Sequence, residues 1–214
     1  LAELLLPNTR AIFFESPGSL TFEMQDIDSI CRIARNHGAL TLMDNTWATP
    51  VYCKPLSLGV DVSIQALTKY VAGHSDLMMG SITAEGGIIK RIRNTAFTLG
   101  LCCGPDDCYL ALRGLRTLGV RLERHSNNAG ILANWLNKRA EVRKVLYPPL
   151  PNDIGHTIWR NNFSGASGLF SIILESVTDE SLSSMLNNLK LFSMGYSWGG
   201  FESLILPITK PYRT

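Results

Sequence analysis

The chain has 214 residues, of which 45% are hydrophobic and 18% charged, and its formal net charge is +2. This composition can bury a sizeable core, and it contains no lysine and arginine block that would favour a nucleic-acid groove or an anionic membrane surface. No apolar run approaches the roughly 20 residues that a membrane-spanning helix needs, so we expect a soluble protein whose partners are small metabolites.

The first half of the chain alternates strand and helix patterns. The apolar run "AIFFES" (11–16) predicts a buried strand, and Pro17 and Gly18 predict the turn that ends it. A helix is predicted over 26–38, because its apolar positions recur at helical spacing and Gly38 suits a helix C-terminus. These apolar positions are Ile27, Ile30, Ile33 and Ala34.

Three more strands are predicted after this helix. "ALTLMD" (39–44), "VDVSIQAL" (60–67) and "MMGSITAE" (78–85) are short apolar runs, and "PLSLG" (55–59) predicts a turn or short helix between the first two. Strand, helix and strand at these spacings are typical of an α/β fold with a mostly parallel sheet covered on both faces.

A long helical pattern follows the strands. It begins in "IIKRIRNTAF" (88–97), and an apolar stripe then continues through 106–140, which is unusually long for one globular helix. We therefore expect this segment to bridge two domains, with a break near Gly119 or Asn127.

The last third of the chain predicts a second, smaller α/β or α+β domain. "EVRKVLYP" (141–148), "GLFSIILES" (168–176) and "ESLILP" (202–207) predict strands of one small sheet, and "DESLSSMLNNL" (179–189) predicts a helix between the second and third. The predicted domains are residues 1–115 and residues 116–214.

The chain ends and the cysteines bear on the setting of the protein. The start "LAELLLPNTR" lacks the pattern of a secretion signal, begins with Leu1, and is matched by a proline-interrupted end with no closing helix or strand, so we expect a cytoplasmic protein and a fragment of a longer one. The cysteines are odd in number and scattered, which favours reduced thiols. A metal site is disfavoured because adjacent cysteines cannot easily aim both sulfurs at one ion. The five are Cys31, Cys53, Cys102, Cys103 and Cys108.

Two polar residues end predicted strands, where ligands of α/β sheets bind. Asp44 closes "ALTLMD", and Lys69 follows "VDVSIQAL" within an otherwise apolar stretch. A buried ammonium without a partner tends to lose its proton. Lys69 therefore either points to water or has a chemical role. Without further sequence context, the favoured interpretation is that Asp44 caps a turn and Lys69 is a solvated loop residue.

Three motifs in register carry a resemblance to a known family. "DNTWATP" (44–50), "TKYVAGHSD" (68–76) and "YSWGGFESL" (196–204) resemble the pyridoxal-phosphate enzymes of cysteine and methionine metabolism, the transsulfuration family. The resemblance extends over nearly the whole chain. It implies the fold-type-I architecture of PLP-dependent transferases, with a large domain that has a mostly parallel sheet and a smaller C-terminal α/β domain.

The resemblance implies a cofactor, pyridoxal 5'-phosphate, and roles for two residues. Lys69 would form a Schiff base with the cofactor aldehyde and, once released, act as general base and acid. Asp44 would keep the pyridine nitrogen protonated, so that the ring accepts electrons released at the substrate Cα.

The phosphate of the cofactor needs hydrogen-bond donors. The resemblance implies Thr68 as one donor, whereas many relatives carry a second hydroxyl where this chain has Ala66. That contact would come from elsewhere, with Ser63 or a backbone N–H group as candidates.

Other polar and aromatic residues of the motifs have two interpretations. His74 and Asp76 are either an acid/base pair or parts of a turn in which His74 makes a structural hydrogen bond, the interpretation we favour. Trp47 is predicted to pack in the core beside the site. Glu15 and Ser16 either line the pocket or form the turn after the first strand.

The segment "YSWGG" (196–200) resembles the bacterial members that cleave at the β-carbon, the cystathionine beta-lyases. Ser197 and Trp198 are then candidates to hold the substrate α-carboxylate, and a glycine-rich turn with a buried tryptophan is the alternative.

The resemblance therefore implies a carbon–sulfur lyase that converts L-cystathionine to homocysteine, pyruvate and ammonia, assembled as a homotetramer of dimers. A γ-acting member, such as a cystathionine gamma-synthase or a methionine gamma-lyase, stays open, as does an incomplete fragment that acts only as an interaction module. A nicotinamide-binding domain is disfavoured because no G-x-G-x-x-G follows any strand.

Overall fold

A four-stranded sheet organises the first half of the molecule. The computed structural model describes residues 1–208; residues 209–214, where the sequence predicts no closing helix or strand, lie outside the described residues. The strands of this sheet stand in the order β1-β2-β3-β4, and they are β1 (Ala11–Glu15), β2 (Leu40–Asp44), β3 (Val62–Ala66) and β4 (Gly80–Ala84).

The pairing in this sheet is mixed. β1 pairs with β2 and β2 with β3 in parallel, whereas β4 returns antiparallel to β3. The predicted α/β class and its four strands are confirmed, and the parallel pairings outnumber the antiparallel one.

Seven helices occur among residues 1–208, and two short 3₁₀ turns, Ala2–Leu4 and Pro55–Leu58, accompany them. The helices are α1 (Ile27–His37), α2 (Thr49–Tyr52), α3 (Gly86–Thr98), α4 (Pro105–Leu115), α5 (Leu118–Leu136), α6 (His156–Asn162) and α7 (Asp179–Asn188). Of these, α2 and α6 have no counterpart among the predicted elements because both are too short to show a helical period.

Helix α1 begins and ends as its sequence predicts. The Asp26 carboxylate accepts a hydrogen bond from the N–H group of Ser29, and Gly38 ends the helix with a φ of 77°. The buried face consists of Ile27, Cys31 and Ala34. Cys31 therefore takes a core position that the predicted apolar face left out.

The predicted break in the long helical segment is confirmed near Gly119, not near Asn127. The chain leaves the helix between α4 and α5, at residues 116–117, two residues before Gly119, whereas Asn127 lies well inside α5. The Thr117 hydroxyl donates to the carbonyl of Gly114 at 3.2 Å, and such a side-chain contact competes with the helical backbone ladder.

The prediction of one small C-terminal sheet was wrong. Two separate two-stranded sheets are present, one of β5 (Val142–Leu146) with β6 (Ser171–Leu174) and one of β7 (Ser193–Met194) with β8 (Leu204–Ile205). The segment before β8 packs through Gly199 and Gly200 on residues 69–75.

The largest buried cluster draws on both halves of the chain. It joins Ile27, Met43 and Trp47 to Tyr147 and Phe163, each no more than 6% exposed. The division into residues 1–115 and 116–214, and the smaller C-terminal domain, stay predictions. No helix within residues 1–208 combines the length and apolar character needed to cross a membrane.

Candidate active site

Asp44 and Lys69 lie at the edge where the parallel strands end. Asp44 is the last residue of β2 and stands in register with Glu15 of β1 and Ile64 of β3. Lys69 follows β3 in a tight turn, in which its N–H group donates to the carbonyl of Ala66 at 3.2 Å. The strand topology thus brings the two residues to one edge of the sheet.

A short relay of hydrogen bonds fixes Asp44 relative to this turn. The Oδ1 atom of Asp44 accepts from the N–H group of Thr46 at 2.8 Å. The Thr46 hydroxyl oxygen accepts from the N–H group of Ala66 at 2.9 Å. The carboxylate is therefore oriented by a loop that is itself tied to the end of β3.

The side chain of Lys69 meets the C-terminal motif. Its Nζ atom donates to Ser197 Oγ at 3.2 Å and lies 5.2 Å from the ring centroid of Trp198. Burial lowers the pKa of Lys69 below its ordinary value. A larger fraction of this amine is therefore neutral near physiological pH than of a free lysine, as a nucleophile or proton acceptor requires.

The paired glycines allow the C-terminal segment to approach Lys69. Gly199 has a φ of +78°, and a Cβ atom there would lie 2.9 Å from the backbone nitrogen of Tyr70. A Cβ atom on Gly200 would lie 2.2 Å from Ser75 Oγ. Because the clash at position 199 is with backbone and its φ is positive, glycine is required there for Ser197 and Trp198 to reach the amine, whereas the clash at position 200 involves a side chain that can rotate.

The structure assigns Thr68 a backbone contact. Its hydroxyl accepts from the N–H group of Met79 at 3.0 Å and donates to the carbonyl of Met79 at 3.3 Å, which closes the loop between β3 and β4. To donate to a phosphate, the hydroxyl would exchange the longer of these contacts. Ser63 lies inside β3, opposite Met43 and Thr83. Phosphate binding by Thr68 or Ser63 stays a prediction.

His74 and Trp47 have the structural roles that we favoured. Nδ1 of His74 lies 2.6 Å from the carbonyl of Ala72, so the ring nitrogen is the donor of a hydrogen bond within the turn. Trp47 is 6% exposed, and its indole donates to the carbonyl of Leu169 at 2.9 Å. Both predictions are confirmed, and Asp76 is exposed in the same turn.

The residues after β1 form a turn. The Glu15 carboxylate accepts from the N–H group of Ser19, and Ser16 Oγ accepts from the N–H group of Gln25 at 3.0 Å. These contacts account for both residues by local backbone binding, which supports the turn interpretation over pocket lining.

Two residues near Lys69 were missed at the sequence level. Tyr70 is 2% exposed, and its hydroxyl accepts from the N–H group of Gly168 at 3.0 Å, while Arg121 donates to the carbonyl of Tyr70 at 2.7 Å. Its position as an aromatic residue directly after the lysine is a sequence signal that could have indicated Tyr70. Arg121 is 51 residues away from Tyr70 in the chain, and no local pattern indicates it.

The residues present fit the cofactor that the resemblance implies. An aldehyde needs an amine with a lowered pKa, which Lys69 could supply, and a pyridine nitrogen needs a fixed carboxylate, which Asp44 could supply from the neighbouring strand. Among residues 1–208 there is no group of three or more histidine, cysteine, aspartate or glutamate residues that could hold a metal ion.

Known proteins match this chain over nearly its whole length. The protein named putative cystathionine beta-lyase in Rhizobium johnstonii is 49% identical over 95% of the chain, and the L-alanine/L-glutamate racemase of Wolbachia pipientis is 49% identical over 98%. The chain spans about half of the length of these relatives, 52% in each case.

A solved structure agrees in fold. The cystathionine gamma-lyase of Lactobacillus plantarum, crystallised with L-serine, superposes with a TM-score of 0.90 at 29% identity, over 95% of this chain and 53% of that one. The family model described as "Cys/Met metabolism PLP-dependent enzyme" matches residues 1–213. The cofactor of this family is pyridoxal 5'-phosphate, and the chain belongs to the Cys/Met metabolism PLP-dependent enzymes.

Proposed function

We propose that the protein to which this chain belongs is a carbon–sulfur lyase that cleaves L-cystathionine by β-elimination. The observation that carries the proposal is the contact of Lys69 with Ser197 and Trp198, which joins an amine of lowered pKa to the motif that resembles the β-cleaving members. The name of the Rhizobium johnstonii relative supports the same activity.

Pyridoxal phosphate, when bound, supplies an aldehyde that takes up amines and a ring that accepts electrons from the substrate Cα. Lys69 would hold the cofactor and, when substrate replaces it, take the Cα proton. Asp44 would hold a proton on the ring nitrogen. Thr68 would donate to the phosphate, and the second donor would be Ser63 or a backbone N–H group.

The proposed reaction balances with the groups at hand. The Cα–H bond breaks with its proton going to Lys69, and the Cβ–S bond breaks with its electron pair leaving on sulfur. Lys69 returns the proton to this sulfur, which gives homocysteine, and water converts the three-carbon remainder to pyruvate and ammonia. Among the residues named above, Lys69 alone takes part in both proton transfers, the first from the substrate Cα and the second to sulfur.

Ser197 and Trp198 would position the substrate carboxylate. The Ser197 hydroxyl accepts from Lys69 at 3.2 Å, and the same hydroxyl can turn its proton toward a carboxylate once Lys69 is engaged elsewhere. The contact of Ser197 with Lys69 would therefore be replaced by a contact of Ser197 with the substrate carboxylate when substrate binds.

Product analysis of the full-length protein with L-cystathionine and pyridoxal phosphate tests the proposal. Homocysteine with pyruvate is the expected result, and both vanish in Lys69→Ala but persist in Lys54→Ala, an exposed lysine of the same region. Cysteine with 2-oxobutyrate would reject β-cleavage in favour of a γ-acting enzyme, the kind named in the Lactobacillus plantarum neighbour.

A second candidate function is amino-acid racemisation. The Wolbachia pipientis relative is as similar as the first one, and its name assigns it L-alanine and L-glutamate as substrates. Racemisation also begins with removal of the Cα proton, so the same Lys69 would serve it. Formation of D-alanine from L-alanine, with no pyruvate from L-cystathionine, would decide for this function.

Assembly and location are further parts of the proposal. We propose a cytoplasmic homotetramer made of two dimers, as the resemblance implies. Sedimentation of the full-length protein at a mass four times that of one chain is the expected result.

A further inference from the structure

Arg121 holds the turn that carries Lys69. From α5, its Nη1 atom donates to the carbonyl of Tyr70 at 2.7 Å, and its Nη2 atom donates to the carbonyl of Val71 at 3.0 Å. The same Nη2 atom donates to the carbonyl of Gly114 in α4 at 2.8 Å. One guanidinium therefore ties the two residues after Lys69 to the end of a helix.

Two glycines leave room for this guanidinium and for the turn. Gly73 has a φ of +71°, and a Cβ atom there would lie 2.0 Å from Arg121 Nη1. A Cβ atom on Gly114 would lie 2.3 Å from the carbonyl oxygen of Val71. The absence of a side chain at Gly73 leaves room for Arg121, and its absence at Gly114 lets the turn lie against α4.

The charge of Arg121 is compensated by dipoles. The ion pair found among the described residues joins Arg139 to Glu141 and does not include Arg121. The hydrogen bonds of Arg121 go to carbonyl oxygens and to the Thr117 hydroxyl. Burial lowers the pKa of Arg121, and burial together with Arg121 lowers the pKa of His125 one turn further along α5. A planar fork with five donors suits this arrangement, whereas a lysine ammonium cannot match its geometry.

The side chain of Tyr70 completes the anchorage. Its ring lies 5.2 Å from the ring of His125 and 5.4 Å from that of Trp198. The residue next to Lys69 is thus fixed through its carbonyl by Arg121 and through its ring by the tryptophan that also contacts the Lys69 amine.

We propose that Arg121 is the positioning residue for Lys69: its fork of contacts to the Tyr70, Val71 and Gly114 carbonyls holds the turn so that the lysine amine stays against Ser197 and Trp198. The inference rests on the proposed function, since Lys69 is the residue that would do the chemistry. Arg121 itself touches neither the amine nor the motif that contacts it.

The test compares Arg121→Gln and Arg121→Lys with Arg124→Gln, an exposed arginine on the same helix. The readout is the rate at which an amine-acylating reagent labels Lys69 in the full-length, cofactor-free protein as a function of pH, resolved by peptide mass spectrometry. Exposed Lys54 and Lys138 in the same samples serve as internal references for the reactivity of the reagent.

In Arg121→Gln, the turn loosens and Lys69 becomes better hydrated. Because burial is what lowers the pKa of Lys69, better hydration raises it, so we expect the labelling rate near neutral pH to fall about threefold or more. Arg121→Lys keeps the charge without the fork, and we expect it to resemble Arg121→Gln. Arg124→Gln should label as the wild type does.

The outcomes separate the possible roles of Arg121. Labelling of Lys69 that stays unchanged in Arg121→Gln, or that Arg121→Lys restores fully, would overturn the positioning role. If Arg121→Gln does not fold, Arg121→Lys still decides through the same labelling ratio. Failure of the proposed function is seen separately, because the wild-type protein with pyridoxal phosphate would then form no homocysteine and pyruvate from L-cystathionine.

Discussion

The lowered pKa of Lys69 couples the protonation of one side chain to folding. In the unfolded chain the amine keeps its ordinary value of 10.5, whereas burial lowers that value in the folded chain. Between the two values the unfolded state binds more protons, so the free energy of unfolding rises with pH there. Below this window, the charged amine lowers the stability of the fold.

Replacement of Lys69 by methionine should remove this pH dependence. We expect Lys69→Met to be more stable than the wild type near pH 7 and the difference to shrink as the pH approaches 10.5. Urea unfolding at several pH values measures it, and Lys54→Met is the matched exposed control. A difference that stays constant between about pH 8 and 10.5 would contradict the coupling of Lys69 to folding.

The five cysteines should divide into two classes of reactivity. Cys53 is 1% exposed and burial raises its pKa to about 12, and burial also raises the pKa of Cys31. The exposed thiols are Cys102, Cys103 and Cys108. At about pH 8, we expect these three to react with a thiol reagent at least about a hundredfold faster than Cys31 and Cys53.

Mass spectrometry of the labelled peptides measures this division. In denaturant, all five thiols should react at similar rates, which controls for reagent preference. Fast labelling of Cys53 in the folded protein would show that the core around Trp47 opens readily.

At the scale of elements, two helical glycines have opposite roles. Gly114 in α4 packs against the turn after Lys69, where a Cβ atom would lie 2.3 Å from the carbonyl oxygen of Val71, whereas nothing lies within 4 Å of a Cβ atom on Gly119 in α5. The first glycine is required by a contact and the second is not.

Alanine substitution should separate these two glycines. We expect Gly114→Ala to lower the free energy of unfolding by about 1–3 kcal/mol through overpacking. Gly119→Ala should raise it by about 0.5–1 kcal/mol because alanine favours the helix. Chemical denaturation measures both values. Equal effects of the two substitutions would contradict close packing of α4 on the Lys69 turn.

The predictable elements are those with local signals. The strand ending in Asp44 and the helix capped by Asp26 and Gly38 have apolar periods and end residues that their own sequence specifies. Residues 204–205 form a strand as predicted, but the strand pairs with β7 and not with the predicted strands of residues 141–148 and 168–176. Strand pairing depends on which distant segment offers free backbone groups, and no pattern within one segment specifies it.

At the scale of the whole molecule, the buried cluster crosses the predicted domain boundary. The ring centroid of Trp47 lies 6.4 Å from those of both Tyr147 and Phe163 in edge-to-face arrangements, and its indole N–H donates a hydrogen bond to the carbonyl of Leu169. Residues before 115 therefore share a core with residues after 116.

A shared core predicts one cooperative transition. We expect tryptophan fluorescence and far-UV circular dichroism to report the same midpoint when the chain is unfolded with urea. Two separated transitions would instead support independent folding of residues 1–115 and 116–214, and the separately expressed segment 1–115 provides the reference signal.

The sequence by itself determined the α/β class, the strand ends that carry Asp44 and Lys69, and the family through its three motifs. Each of these depends on residues that are neighbours in the chain or recur at fixed spacing. Only the tertiary structure decided that Ser197 meets Lys69 across 128 residues and that Arg121 clamps the turn. Such contacts follow from how helices and loops pack to bury surface and satisfy buried carbonyl groups, which is a property of the whole fold.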